Sequence, residues 1–352
     1  MYRRLKSARY LLVFTLPVLV YVSFTNTGWL TFAPMMEAFV LIPLVELFLK
    51  PDPTNHEESE EPSLLSNKLY DMLVYLIVPI QWFFLIFFFN VITESHLTFL
   101  DQLGRWSAMG LMCGVLGINV AHELGHRNTW YEQLMSKALL LTSLYMHFFI
   151  EHNRGHHRYV STPEDPASSR RGELLYAFWL RSCAMSYLSA WRLEREKLKK
   201  MGLSAIHWRN EMLWYQLIQL GLVFAVGALY GWTVMLFFLA AATMGFLLLE
   251  TVNYIEHYGL RRKETSPGRY ERVLPAHSWN SDHTMGRLML FELSRHSDHH
   301  FLASRKYQIL RHLDSSPQMP TGYPGMMLMA LIPPLWFRVM HKRLERFQSA
   351  NV

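Results

Sequence analysis

Long apolar stretches separated by short polar ones fill the first 120 residues and return after residue 211. A membrane-crossing helix needs about 20 mostly apolar residues. Six stretches meet or approach that length: 10–24, 29–48, 70–91, 106–121, 212–230 and 232–254. The first and fourth are short and borrow flanking residues. Tyr230-Gly231-Trp232 leaves room only for a tight hairpin between the last two, with aromatics suited to the membrane boundary. Two further apolar segments, 134–150 and 323–337, read differently. A crossing at 134–150 would separate the histidines before it from those after it, so a half-inserted or interfacial helix is expected there. Pro324, Pro333 and Pro334 give 323–337 the same interfacial reading. The expected fold class is all-α: an integral membrane six-transmembrane-helix bundle with a cytoplasmic helical cap, in a single domain over 1–352.

Charge sets the orientation. With six spans, every lysine and arginine except Arg105 falls on one side, and the positive-inside rule makes that side cytoplasmic. The termini and the long 122–211 segment then share the cytoplasm. The chain starts with basic residues and an apolar stretch, but no small-residue cleavage pattern follows. That start reads as a first membrane helix and not as a removable signal. The acidic, proline-containing 51–66 stretch reads as a solvated linker. Cys113 and Cys183 are the two cysteines, and no CxxC pair exists. That count argues against a disulfide framework, an iron–sulfur site and a cysteine zinc site.

Seventeen histidines change the picture, because most crowd into four short words. The first is His122-Glu123-Leu124-Gly125-His126, whose histidines at i and i+4 share a helix face and can reach one metal. The second is Glu151-His152-Asn153-Arg154-Gly155-His156-His157. On an α-helix His152 and His156 share a face and His157 points about 100° away, so adjacent histidines can serve two metals. The third is Asn253-Tyr254-Ile255-Glu256-His257-Tyr258-Gly259. The fourth, Arg295-His296-Ser297-Asp298-His299-His300, has histidines at i, i+3 and i+4. The sum is nine: His122, His126, His152, His156, His157, His257, His296, His299 and His300. One metal takes four to six ligands, so nine suit two, and the cap is expected to hold a histidine-rich dimetal site. Imidazole suits iron, copper, zinc and nickel alike. Burying so many polar rings without partners would be costly. His147, His207, His312 and His341 stand alone and read as packed or interfacial residues. Glu123, Glu151, Glu256 and Asp298 neighbour the ligands on the chain. Each could fix a ring's free N–H, or could instead cap a helix or pair with Arg127, Arg154 or Arg295. HELGH also fits the H-E-x-x-H zinc-protease pattern with Glu123 as base, but such a site leaves the other seven histidines without a role.

As a set, HELGHR, EHNRGHHRYV, NYIEHYGL and RHSDHH resemble the signatures of the bacterial alkane 1-monooxygenases, within the membrane desaturase–hydroxylase group. The resemblance runs from the first span to about Phe337 and takes in STPEDPASSR, HSWNSDH and MPTGYPG. It implies two iron ions on the nine histidines, O2 as co-substrate, and electrons from rubredoxin and its NADH-dependent reductase. It implies an n-alkane drawn from the bilayer, membrane lipid as the surroundings, and a place in the bacterial inner membrane. Nucleic acid has no part in it. The second span, with Glu37, Ala38 and Phe39, is where it points for a substrate channel. An ionisable residue in a span is a functional hypothesis by default.

An unactivated C–H bond offers nothing to acid–base or nucleophilic attack, so its hydroxylation needs a redox metal, which zinc is not. No G-x-G-x-x-G loop appears, so electrons must come from another protein. The net charge of +6 would suit an acidic carrier, although positive-inside bias explains much of it. Two alternatives stay open: a related di-iron hydroxylase or desaturase acting on a fatty-acyl or methyl-aromatic substrate, and an HExxH zinc membrane protease.

Overall fold

The computed structural model describes residues 7–350; the basic start with Arg3 and Arg4, used above for orientation, lies outside them. Its helices are α1 Arg9–Thr25, α2 Gly28–Phe48, α3 Lys68–Val91, α4 Phe99–Gly125, α5 Trp130–Thr142, α6 148–159, α7 Leu175–Lys200, α8 Glu211–Tyr230, α9 Trp232–His257, α10 Thr284–Met289, α11 His296–Phe301, α12 Tyr323–Ala330 and α13 Pro333–Ala350. A small antiparallel hairpin, β1 Glu264–Ser266 with β2 Arg269–Tyr270, follows α9. Among the described residues five helices, α2, α3, α4, α8 and α9, are long and apolar enough to cross a membrane, and α1 is a shorter apolar helix. The chain is a multi-pass membrane protein.

Two segments differ in detail from the sequence pattern. The 106–121 stretch sits inside the longer α4, which starts at a Thr98–Asp101 capping box and takes Arg105 with it. The 134–150 stretch is two helices, because α5 ends at Thr142 and Leu144 turns the chain at φ 52° before α6.

The chain forms two compact units. The first comprises Met1–Leu41, Asn67–Glu151 and Ala190–Leu249; the second Ile42–Ser66, His152–Ser189 and Glu250–Val352. In the first unit the outward faces expose Val18, Phe83, Ile86, Phe224 and Leu229, which lipid rather than water can cover. Polar groups are instead turned inward. Buried Arg105 donates to the Val91 carbonyl at 2.7 Å, to Glu94 at 2.7 Å and to the Asn26 carbonyl at 3.1 Å. It thereby joins the ends of α1 and α3 to α4. Helices α4 and α9 approach closely at Gly114 and Gly245. A side chain on Gly245 would come within 2.5 Å of Cys113 Cβ, and small residues at such crossings let backbones meet.

His147 is also buried here, its ring 4.3 Å from that of Tyr145. Burial lowers it to about 3 from the ordinary 6.5, so it is folded in neutral.

The second unit is built on an aromatic core of Tyr254, Tyr258, Trp279, Tyr323 and Trp336, completed by Met340 and Leu344. Trp336, Met340 and Leu344 recur every four residues and form the inward stripe of α13.

Two stability outcomes are expected. Gly245→Val should lower the thermal midpoint in detergent by an amount matching about 1–3 kcal/mol of overpacking, while Gly221→Ala, with open space around it, should not. The His147 ring has a depressed folded pKa, so its contribution is intact above pH 6.5 and lost as pH falls from there toward 3. The midpoint should therefore fall between pH 7.5 and pH 5, and His147→Gln should flatten that fall.

Candidate metal centre

Seven of the nine word histidines lie in the second unit, and they form two groups. His156, His257, His296 and His300 are all buried, with ligand atoms within 4.8 Å of one another. His156 Nε2 is 3.2 Å from His300 Nε2, and His296 Nε2 is 3.2 Å from His257 Nε2. In the other group His157 Nε2 is 3.0 Å from His152 Nε2 and 3.1 Å from His299 Nε2. The groups adjoin: the rings of His157 and His300 are 4.5 Å apart.

Those spacings fit metal ions. At a metal–nitrogen distance of about 2.1 Å, neighbouring ligands on one ion stand about 3.0–3.4 Å apart, from octahedral to tetrahedral angles. The His300 ring is also in the protonation state that a metal requires. Burial first, then the rings of His296, His157, His156 and His257, hold His300 well below the ordinary histidine range. A neutral ring offers the lone pair that a metal needs.

Local backbone decides which ring joins which group. An α-helical turn would pair His152 with His156. The structure pairs His152 with His157, because His152–His156 is a π-helical turn. Bonding from i to i+5 stacks residues five apart. His156 is thus released to the group of His257, and the adjacent pair serves both groups. In α11 the α spacing holds: His296 and His300 share one group and His299 joins the other.

A six-residue helix such as α11 is marginal alone, so its neighbours must fix it. Buried Arg295, just before it, donates to the carbonyls of Leu310 and Thr54, both at 2.8 Å. Asp298 accepts from Arg305 at 2.9 Å on each oxygen and from the Arg311 amide at 3.0 Å. Asp298 therefore fastens the following loop. Two successive non-glycine residues before the helix, Phe291 and Glu292, sit at φ 50° and 59°. The 2.7 Å Glu292–Arg287 ion pair holds that unfavourable conformation.

Glu256 lies at the four-histidine group. One of its oxygens is 3.1 Å from His296 Nε2, and the other accepts from Tyr323 at 2.6 Å. Burial first, and then the Glu256 carboxyl to which it donates, hold the Tyr323 hydroxyl well above its ordinary range. Asp165 was not singled out by the sequence reading. Its carboxylate is 2.9 Å from His156 Nδ1 and accepts from Ser168 at 2.5 Å. Burial opposes its ionisation, but His156, Ser168 and His257 outweigh burial and leave it below the ordinary range. An ionised carboxylate at Nδ1 fixes the ring's proton there and turns Nε2 toward the group. The word STPEDPASSR contained the signal, a carboxylate soon after the ligands, but only folding brings it back to them.

The remaining pair belongs to the first unit. His122 and His126 end α4 with their rings 4.9 Å apart and edge to face. Glu123 points elsewhere, to Arg127 at 2.8 Å. Arg127 also meets Glu132 at 2.8 Å and Asp71 at 2.5 Å. Burial works against its charge, yet Glu123, Glu132 and Asp71 outweigh burial and hold it above the ordinary range. This buried ion cluster anchors the end of the helix that carries the two histidines. Glu151 is buried beside its word. Glu37, Ala38 and Phe39 fall in the π-helical turn Glu37–Leu41 of α2. Of the histidines read as isolated, His312 pairs with Asp282 at 2.7 Å and His341 with the Tyr258 hydroxyl at 2.9 Å. His207 accepts from the Arg209 amide at 3.1 Å.

The fatty acid desaturase family model matches residues 102–330, a span that holds all four histidine words. Alkane 1-monooxygenase 2 of Pseudomonas aeruginosa is 44% identical over 315 residues, 89% of this chain and 84% of its own. The alkane 1-monooxygenase of Ectopseudomonas oleovorans is 40% identical over 315 residues, 89% of this chain and 78% of its own. The chain belongs to the alkane 1-monooxygenases, within the fatty acid desaturase family. It is accordingly an oxidoreductase with a histidine-rich metal site. The xylene/toluene monooxygenase hydroxylase component of Pseudomonas putida is a more distant relative, 31% identical over 243 residues, 69% of this chain and 64% of its own.

The Asp165 contact generates an outcome specific to this alkane 1-monooxygenase family member. Asp165→Asn should weaken metal retention about 10–100-fold, measured as metal left after a timed chelator challenge. Glu123→Gln, which acts on the Arg127 cluster, should lower the thermal midpoint and weaken retention far less than Asp165→Asn.

Proposed function

We propose that the protein hydroxylates the terminal methyl of medium- to long-chain n-alkanes to 1-alkanols, with O2 and with electrons from rubredoxin and its NADH-dependent reductase. The observation that carries this reading is the pair of adjoining histidine groups, one wholly and one largely buried, with ligand spacings suited to metal ions, in a chain of this family. When bound, two irons would supply the oxidising power that an unactivated C–H bond requires.

The chain's own residues do the rest. His156, His257, His296 and His300 would hold one ion. His152, His157 and His299 would hold the other, and His122 and His126 are proposed as further ligands on the strength of their sequence word. Asp165 keeps a proton on His156 Nδ1, so the opposite nitrogen faces its ion. Glu256 sets one carboxyl oxygen beside His296 Nε2, and the Tyr323 hydroxyl donates to the other. An alkane dissolves in the bilayer and enters sideways between helices. The π turn with Glu37, Ala38 and Phe39 is the proposed channel wall, since such turns recur at functional sites. The six-span topology puts both termini and the metal site on the cytoplasmic side of the inner membrane, where a soluble electron carrier can reach them.

A second reading, a related hydroxylase or desaturase for a fatty-acyl or methyl-aromatic substrate, draws on the family's breadth and on the xylene/toluene relative. Product analysis separates the two. Purified protein with rubredoxin, reductase, NADH and an octane-to-hexadecane series should yield 1-alkanols by gas chromatography. No 1-alkanol at any length, alongside turnover of a fatty-acyl lipid or a methyl-aromatic, would overturn the alkane assignment.

A further inference from the structure

Helix α13 has an outer line as well as an inner stripe. Leu335, Arg338, Lys342 and Arg346 are all exposed, and their spacing of three, four and four puts them on one face. The turn before the helix exposes Leu331 and Ile332. The face therefore begins apolar and becomes basic. The other charged groups of α13 are engaged elsewhere. Glu345 pairs with Arg171 at 2.5 Å, Arg343 donates to the Gln318 carbonyl at 3.3 Å, and His341 meets Tyr258.

Contacts with α9, a membrane-crossing helix, set the depth of this face. The Trp336 ring is 5.2 Å from those of Tyr254 and Tyr258, at the end of α9. The start of α13 is tied further along. The Leu331 carbonyl accepts from Tyr176 at 2.8 Å, and Trp179, beside Tyr176, donates to Thr251 of α9 at 3.0 Å. Thr251 lies nearly one turn inside Tyr254. Tyr176 and Leu180 are exposed next to that start, as residues of a membrane boundary are. A bilayer boundary near Tyr254 would put the apolar beginning of α13 in hydrocarbon and its three cations at the level of the headgroups.

We infer that the outer face of α13 binds anionic phospholipid headgroups. A guanidinium or ammonium pairs with a phosphate oxygen, and basic side chains near an anionic leaflet add attraction that uncharged lipid does not offer. A general bias of positive charge toward one side does not require three cations on one helical face behind an apolar start.

The test uses the full-length protein and the triple variant R338Q/K342Q/R346Q, in nanodiscs of equal phosphatidylglycerol and phosphatidylcholine. Lipids retained after extraction are counted by native mass spectrometry, which needs neither metal nor turnover. Its outcome is therefore independent of the proposed alkane chemistry. The wild type should retain phosphatidylglycerol preferentially, and the variant should lose about tenfold or more of that preference. Its thermal midpoint should stay unchanged, since all three side chains are exposed. Equal retention of both lipids by the wild type, or an undiminished preference in the variant, overturns the inference. So does a variant with undiminished lipid preference that instead raises the KM for an acidic electron carrier, which would make this a protein-docking face.

Discussion

Seven crowded imidazole rings, six of them buried and His157 half-buried, constrain everything around them. Polar rings taken out of water are costly unless each nitrogen is engaged. Rings meeting nitrogen to nitrogen can share few protons among themselves. Metal ions relieve that conflict, because each accepts several lone pairs at once. The surrounding helices are best understood as devices that bring those lone pairs together. His300 shows this directly, since its neighbours and its burial both oppose a proton there.

Rigidity comes from charged groups that are themselves fully engaged. Arg295, Asp298 and Asp165 use their hydrogen bonds to fix short, otherwise marginal backbone, and each is buried. Arg127 does the same for the end of α4 among three carboxylates. Such clusters are expensive to break, since removing one partner leaves an unpaired buried charge. Their position beside the histidine words links stability to ligand geometry. The apolar exterior of the spans has the opposite role, offering nothing but contact with lipid chains.

Much of this was legible in the sequence. The spans followed from apolar run length, and the ligand words from histidine spacing. Family membership followed from the words as a set. What was not legible depends on backbone geometry or distant contacts. Nothing in EHNRGHH announces a π turn, so the expected His152–His156 pairing gave way to His152–His157. Asp165 reaches His156 only because the chain after α6 folds back. Asp298 was open between an imidazole, a helix cap and a nearby arginine, and it holds Arg305, seven residues later. Neighbours on the chain are weak guides to neighbours in space once a helix has ended. The interfacial 134–150 stretch illustrates the same limit. Its apolar content was plain, but the turn at Leu144 depends on local backbone torsion.

The most direct measurement of the proposed two-ion centre is Mössbauer spectroscopy of protein loaded with iron-57, combined with iron quantified per chain. About two irons per chain are expected, with isomer shifts typical of nitrogen-rich ligation and with both signals reduced in a His156→Ala/His157→Ala double variant. One metal per chain, or iron signals unaffected by those substitutions, would contradict it.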